Sequence, residues 1–305
     1  LAALRKFDRK TLNPQQRISA EMLDYQLQVI IDEEPWLKYN FPLNQFRGIQ
    51  TALPGLLTDM HPVRNARDVE NYLLRLEAGG PKIDVALKIM QDRAKQNIRL
   101  PGFIAVETVG QMKRFSTPAP AQNILVTSLA DRMKRVNTIP PERQAAYLAS
   151  AEKLVRDSLY PAYRRAMDGL ETINAKASEA AGLWHLPKGD QAYAYHLGRM
   201  TTLPLTAAQV HQKGKEEVAR IEAEMESRFR ELGYKDGSIT ERYKKLEADN
   251  LYPNEPNIRE KILADFTALI QANHERSLSS FLHTPKAKCI VQRIPAFQEA
   301  NAAAN

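Results

Sequence analysis

A single cysteine, Cys289, in a chain of 305 residues excludes an internal disulfide framework. A reducing cytosol and a disulfide-free periplasm are both compatible with it. Cys289 lies in an apolar run, so its thiol is expected to be buried and inert. No stretch approaches the roughly 20 apolar residues that a bilayer-crossing helix requires, so no membrane span is expected. Phosphate-cradling glycine loops are missing, as is the Gly-x-Ser-x-Gly turn that exposes a nucleophilic serine. Also missing is His-Glu-x-x-His, in which two histidines on one helix face reach a zinc ion while the glutamate activates its water. The nearest approach, His274-Glu275-Arg276-Ser277-Leu278, has a leucine in place of the second ligand. Leu1 follows neither an initiator methionine nor an apolar leader, as in a processed secreted chain or a trimmed one, so the compartment stays open.

What remains is the composition of a water-soluble helical protein. Apolar residues make up 43% of the chain, and charges of both signs are dispersed through it. The length suits one large helical lobe, or two subdomains over 1–138 and 139–305. Lysine and arginine total 43 against 36 acidic residues, giving the formal charge of +7. That excess invites an anionic partner. However, the basic residues alternate with acidic ones, as in Lys213-Gly214-Lys215-Glu216-Glu217, rather than forming a stripe, so no nucleic-acid partner is expected.

The periodicity predicts an all-α architecture of layered helices with at most a minor strand or hairpin near the C-terminus. Asn13 and Gln16 form a capping box around Pro14, opening a helix that Pro35 closes. The breakers between Trp36 and Val63 predict an ordered loop with short helical turns. Val69, Tyr72, Leu73 and Leu76 share a face of the next helix, and Gly79-Gly80-Pro81 separates it from an antiparallel successor. Further helices are expected over Pro101–Met112, Ala121–Val136 and from Pro140 to about Ala175, the last kinked near Tyr160 by Pro161. Thr206 with Gln209 caps the most regular helix, whose Val210, Gly214, Val218, Ile221, Met225, Phe229 and Leu232 form one stripe. Gly214 on that stripe predicts a close backbone neighbour. Ser238 with Glu241 opens a shorter helix, and Ile258, Ile262, Phe266, Ile270 and Phe281 mark the last one. Cys289–Ile294 reads as a strand, for which Phe103–Val109 is a candidate partner.

Chemistry-bearing side chains concentrate between Gly182 and Glu217. Tyr193 and His196, three apart, share a helix face, whereas Tyr195 points elsewhere. The tyrosine could orient a substrate or stabilise an oxyanion, or could simply pack. Thr201-Thr202 either cradles a ligand backbone or forms a plain turn before Leu203-Pro204. His211, near the start of its helix, could donate to a ligand carbonyl or satisfy a loop. The spacings of 11 and 15 between His185, His196 and His211 suit no compact metal site. Arg75 is expected to form an ion pair on its own helix.

Several segments in order carry a family resemblance: the Gly48–Leu57 loop, Tyr72-Leu73-Leu74-Arg75-Leu76, Leu100-Pro101, Tyr160-Pro161-Ala162-Tyr163, the Gly189–Val218 region and Val291-Gln292-Arg293-Ile294-Pro295-Ala296-Phe297. They resemble the bacterial domain-of-unknown-function family numbered 885, whose members look like zinc-dependent peptidases of the gluzincin type. In that family the zinc motif lies downstream of the segment matching Ile294-Pro295-Ala296-Phe297, so the chain resembles the amino-terminal portion only. The resemblance implies a lobe that forms a substrate cleft, with Tyr193, His196, His211, Thr201 and Thr202 as candidate binding residues. It also implies a peptide-like small substrate and a periplasmic or cell-envelope location. No catalytic or metal-ligating residue and no cofactor is expected in this chain, zinc belonging to the intact family member. Ala192 departs from the family's tendency to carry tyrosine there. If another half normally covers the lobe, an apolar face near Cys289–Phe297 and the Tyr193 helix should be exposed or packed in a dimer.

Overall fold

Side-chain caps mark the starts of several helices. In the computed structural model, which describes residues 1–292, a short α1 (Ala2–Arg5) precedes α2 (Pro14–Glu33). The α2 capping box is complete: the Asn13 side chain accepts from the Gln16 N–H at 2.8 Å, and Gln16 returns the bond to the Asn13 N–H at 3.0 Å. The chain divides into two compact units, Leu1–Gln209 and Val210–Asn305.

The first unit continues through α3 (Ile49–Gly55), α4 (Ala66–Glu77), α5 (Gly79–Lys95), α6 (Gly102–Ser116), α7 (Ile124–Met133), α8 (Pro141–Leu154), α9 (Tyr160–Asn174) and α10 (Gly189–Thr201). The stretch expected as an ordered loop with short helical turns holds such turns on either side of an irregular segment over 40–48: a 3₁₀ segment over Glu34–Tyr39, then α3, which runs into a π-turn at Leu56–Met60. Pro54 sits inside α3. Pro54 lacks the N–H that would bond the Gln50 carbonyl, and the Tyr163 hydroxyl donates to that carbonyl at 2.7 Å instead.

Helices α4 and α5 do not form the expected hairpin. Ala78, itself right-handed helical, joins them, and they pack chiefly on other partners, α4 on α8 and α5 on α9. The α8–α9 pair is likewise one interrupted rod, its π-turn spanning Val155–Leu159 immediately before Pro161. The irregular turn thus falls where Pro161 removes a backbone donor and crowds the preceding carbonyl. Gly80 faces it: a Cβ there would stand 2.5 Å from Ser158 Oγ and 3.1 Å from the Ser158 carbonyl oxygen. The glycines therefore let two rods approach closely rather than ending a helix.

Between these rods lies the main core, built from Val69, Tyr72 and Leu76 of α4, Ile83, Leu87 and Met90 of α5, Met112 of α6, Leu125 and Leu129 of α7, and Tyr163 and Ala166 of α9. Its buried phenols are satisfied by carbonyls: Tyr72 donates to Leu125 O, Tyr163 to Gln50 O and Tyr160 to Pro118 O, each at 2.7 Å. Burial pushes the Tyr72 and Tyr163 phenols well above their usual pKa, so they act as fixed donors. Arg75 donates to Nδ1 of buried His61 at 2.6 Å, and the Nε2–H of His61 meets the Asp68 carbonyl at 2.8 Å, replacing the ion pair expected for Arg75.

The second unit holds α11 (Ala207–Glu231, its first turn preceding the division), α12 (Ile239–Asn250) and α13 (Ile258–Ser277). The capping boxes expected at Thr206/Gln209 and Ser238/Glu241 both form. Gly214 has no atom within 4 Å of a built Cβ, so the close neighbour expected there is not found. On the stripe, Val218, Ile221 and Leu232 are exposed and Phe229 is buried. No strand occurs among the described residues: Phe103–Val109 lies in α6, and Cys289–Gln292 is irregular. Arg293–Phe297 lies outside the described residues. Cys289 is exposed, correcting the buried thiol, because the strand that would have covered it is absent up to Gln292.

Candidate functional site

Helix α10 begins against a tight neighbour. Gly189 opens it after Lys188, which adopts a left-handed conformation (φ 56°), and a Cβ at Gly189 would stand only 1.7 Å from the Leu183 carbonyl oxygen. Only glycine lets the Leu183–His185 turn fold back onto the helix start. Behind that turn a small second core gathers Tyr39, Ile98, Leu186 and Ala192, with Trp36, Phe41 and Leu183 packed on it. The Tyr39 phenol donates to the Pro187 carbonyl, tying the 3₁₀ segment after α2 to the start of α10.

This arrangement leaves an open groove between α2 and α10, about 370 Å³ in volume. Tyr25, Val29 and Asp32 line it from α2; Tyr195, Gly198, Arg199 and Thr202, spaced i, i+3, i+4 and i+7, line it from α10 and its C-cap. Tyr195 is its centre. The ring stacks on Trp36 at 6.0 Å between centroids, and the hydroxyl donates to Val29 O at 3.1 Å. Arg199 donates to Glu33 at 2.8 Å, and the Glu33 side chain is only 15% exposed. Asp32 accepts from the neutral Gln28 amide at 2.9 Å. Burial pushes the Tyr195 phenol up; Glu33, Asp32 and Tyr25 reinforce the shift and Arg199 opposes it. All four groups therefore lie within electrostatic reach of one phenol.

The structure places the sequence-derived residues as follows. Tyr193 is half-exposed on α10 and is not part of the groove lining, which Tyr195 provides. His196 is partly buried, edge-on to Tyr195 at 5.4 Å, and burial lowers its pKa, with Arg199 lowering it further and Glu33 opposing. Thr201 Oγ1 donates to Leu197 O at 2.8 Å and accepts from the Leu203 N–H at 3.3 Å, which completes the helix end. Thr202 is left-handed (φ 57°) and lines the groove. His211 is exposed and belongs to the second unit, whereas the other four belong to the first. His185 is engaged locally, its Nδ1 against the Gly182 carbonyl.

Sequence reasoning passed over Tyr25, Asp32, Gly198 and Arg199. The signal existed for α10, where Tyr195, Gly198, Arg199 and Thr202 share one face at helical spacing. Nothing in α2 announced its partnership, since no periodicity tells which distant helix packs alongside.

The resemblance implies a zinc ion for the intact family member, and the described residues offer it no fitting set of ligands. Among the described residues no three or more His, Cys, Asp or Glu side chains are grouped to hold a metal ion. Nor, among those residues, is any helix long and apolar enough to cross a membrane.

No curated protein matches the chain. Among solved structures, the fold is similar to that of "the putative lipoprotein from Colwellia psychrerythraea", with a TM-score of 0.81 and 23% sequence identity. The match covers 86% of this chain and 45% of that one, so the matched region spans less than half the length of that protein. At such identity the likeness is one of fold. The model of the family described as "Bacterial protein of unknown function (DUF885)" matches residues 1–305, and the chain belongs to that family.

Proposed function

We propose that the chain forms the substrate-binding, helical lobe of a zinc-peptidase-like protein that hydrolyses peptides or amino-acid conjugates. The α2–α10 groove is where the peptide lies. The observation that carries this reading is the groove itself: a concave surface with one stacked tyrosine at its centre and a few converging polar groups, the usual make-up of a small-ligand site. The resemblance to zinc-dependent peptidases supports the reaction class. The length of the structurally similar protein, more than twice the matched region, is compatible with metal-holding residues elsewhere in an intact polypeptide. The attribution of that protein as a lipoprotein supports an envelope or periplasmic setting. Of the candidate residues, Thr202 contacts the peptide, His196 backs the wall beside Tyr195, Thr201 shapes the helix end, and Tyr193 and His211 remain candidates on other surfaces.

Calorimetric titration with short peptides tests this. Gly198 lines the groove, and a Cβ there meets only the Leu203 carbonyl oxygen at 3.9 Å, so Gly198→Phe should fill the groove without breaking the helix. Wild-type protein is expected to bind trialanine, with or without a chelator, and Gly198→Phe to lose at least about tenfold in affinity at unchanged helical circular dichroism, a loss of ~1.4 kcal/mol. Equal binding by both proteins would place the peptide elsewhere.

A second reading, a binding module without catalysis, uses the same groove, and the lack of a metal-ligand grouping among the described residues is expected under both. The two readings part on the coding sequence downstream of Asn305, where the first expects His-Glu-x-x-His and the second does not. In the second unit Leu282, Cys289 and Ile290 are exposed, and in the first Tyr193 is half-exposed; each is separately compatible with a covering partner or a dimer.

A further inference from the structure

We infer that the α2–α10 groove recognises a primary ammonium group, held by Asp32 between the rings of Tyr25 and Tyr195; this rests on the groove being the peptide site. The charge balance of the lining decides the sign of the ligand. Arg199 would suit a carboxylate, but its guanidinium is spent on Glu33 at 2.8 Å, and Glu33 is largely shielded from water. That pair is neutral overall. Asp32 has no cationic partner among the described residues, its contact being the uncharged Gln28 amide at 2.9 Å. The groove therefore carries one uncompensated negative charge, on the side of α2.

The tyrosines supply what a carboxylate alone lacks. The Tyr195 hydroxyl gives its proton to Val29 O at 3.1 Å, so the oxygen presents lone pairs to a donor rather than a competing hydrogen. Its ring packs on Trp36 at 6.0 Å between centroids. Tyr25 stands across the groove with its side chain half-exposed. Two phenol rings flanking a carboxylate attract an ammonium through the ring quadrupoles as well as by charge. A ligand carboxylate would instead face Asp32 with no free cation in the lining to receive it.

An ammonium can come from a peptide's amino terminus or from a lysine side chain, and three probes separate these sources. Trialanine, N-acetyl-trialanine and an N-acetylated, C-amidated peptide with one internal lysine are titrated into wild-type protein and Asp32→Asn. The inference expects trialanine, the lysine peptide or both to bind at least tenfold more tightly than N-acetyl-trialanine, with Asp32→Asn removing most of that advantage and leaving N-acetyl-trialanine unchanged. Whichever amine carries the advantage names the source. Equal affinity of all three peptides for wild type, or an advantage that survives Asp32→Asn, overturns the ammonium site and leaves the groove reading standing. Failure of every peptide to bind overturns both. Salt provides a second readout, since an amine advantage based on charge should shrink between 0.02 and 0.5 M NaCl, where the Debye length falls several-fold from about 20 Å.

Discussion

His196 shows how a single side chain can report on a wall. Burial lowers its pKa from the ordinary value of about 6.5, so as pH falls the unfolded chain takes up the proton before the folded one does. Its contribution to stability is thus complete above about pH 6.5 and is lost as pH drops below that value. Urea midpoints measured between pH 7.5 and pH 5 should fall less steeply for His196→Gln than for wild type. Parallel slopes would mean that the ring is as well solvated in the folded protein as in the unfolded one. The buried phenols make a sharper case. Tyr163→Phe strips the Gln50 carbonyl of its donor inside the core, and an expected loss of ~1–3 kcal/mol should appear as a lower denaturation midpoint without a change in slope. At this scale sequence reading recovered the helix caps, because capping is local chemistry between residues three apart. It placed Arg75 in an ion pair because nothing local announces that His61, fourteen residues back, returns to meet it.

Among the elements, glycine separates what periodicity can tell from what it cannot. Both Gly80 and Gly214 lie inside helices, yet the first faces Ser158 at 2.5 Å and the second faces open space. The sequence assigned a close neighbour to Gly214 and a helix break to Gly80, which inverts the arrangement found. A helix's own pattern reveals which face is apolar but not whether another backbone lies against it. Opposite stability changes follow for the same substitution. Gly80→Ala should destabilise by ~1–3 kcal/mol through overpacking against the π-turn, since part of what it meets is backbone that cannot swing aside. Gly214→Ala should stabilise by up to ~1 kcal/mol through helix propensity alone. Thermal melts of the two variants beside wild type decide both, and shifts of the same sign would show that the packing at one of the glycines differs from that described. The same limit explains the strand expected at Cys289–Ile294. A run rich in β-branched residues suits a strand, but a strand needs a partner edge, and Phe103–Val109 is committed to α6.

For the whole molecule, the all-helical class was legible because helical periodicity and capping recur along most of the chain, and a single cysteine with no long apolar run left few competing classes. The groove was only half legible, since one wall, α10, announced itself while the other did not. Periodicity alone does not rank how unequally the two units are built. Among the described residues of Val210–Asn305 only Phe229 and Arg242 are buried, Arg242 lying 5.3 Å over the Phe229 ring and pairing with Glu226, whose carboxyl Arg242 and Arg230 hold down at about 2. Leu1–Gln209 instead encloses an apolar core that draws on α4 through α9. Apolar burial is the main favourable term in folding, and charge pairs on exposed helix faces such as Lys213–Glu217 and Arg220–Glu224 add only tenths of a kcal/mol each. Local opening should therefore cost far less in the second unit. Native-state hydrogen exchange read by mass spectrometry is expected to show amides of α11, α12 and α13 exchanging at least tenfold faster than those of α5, α6 and α9 at neutral pH. Adding 0.5 M NaCl should leave that order intact, because the difference arises from buried area rather than from screened charge. Uniform protection across both units would mean that Val218, Ile221 and Leu232 are covered in solution, and the exchange map of α11 would then mark the face on which the cover sits.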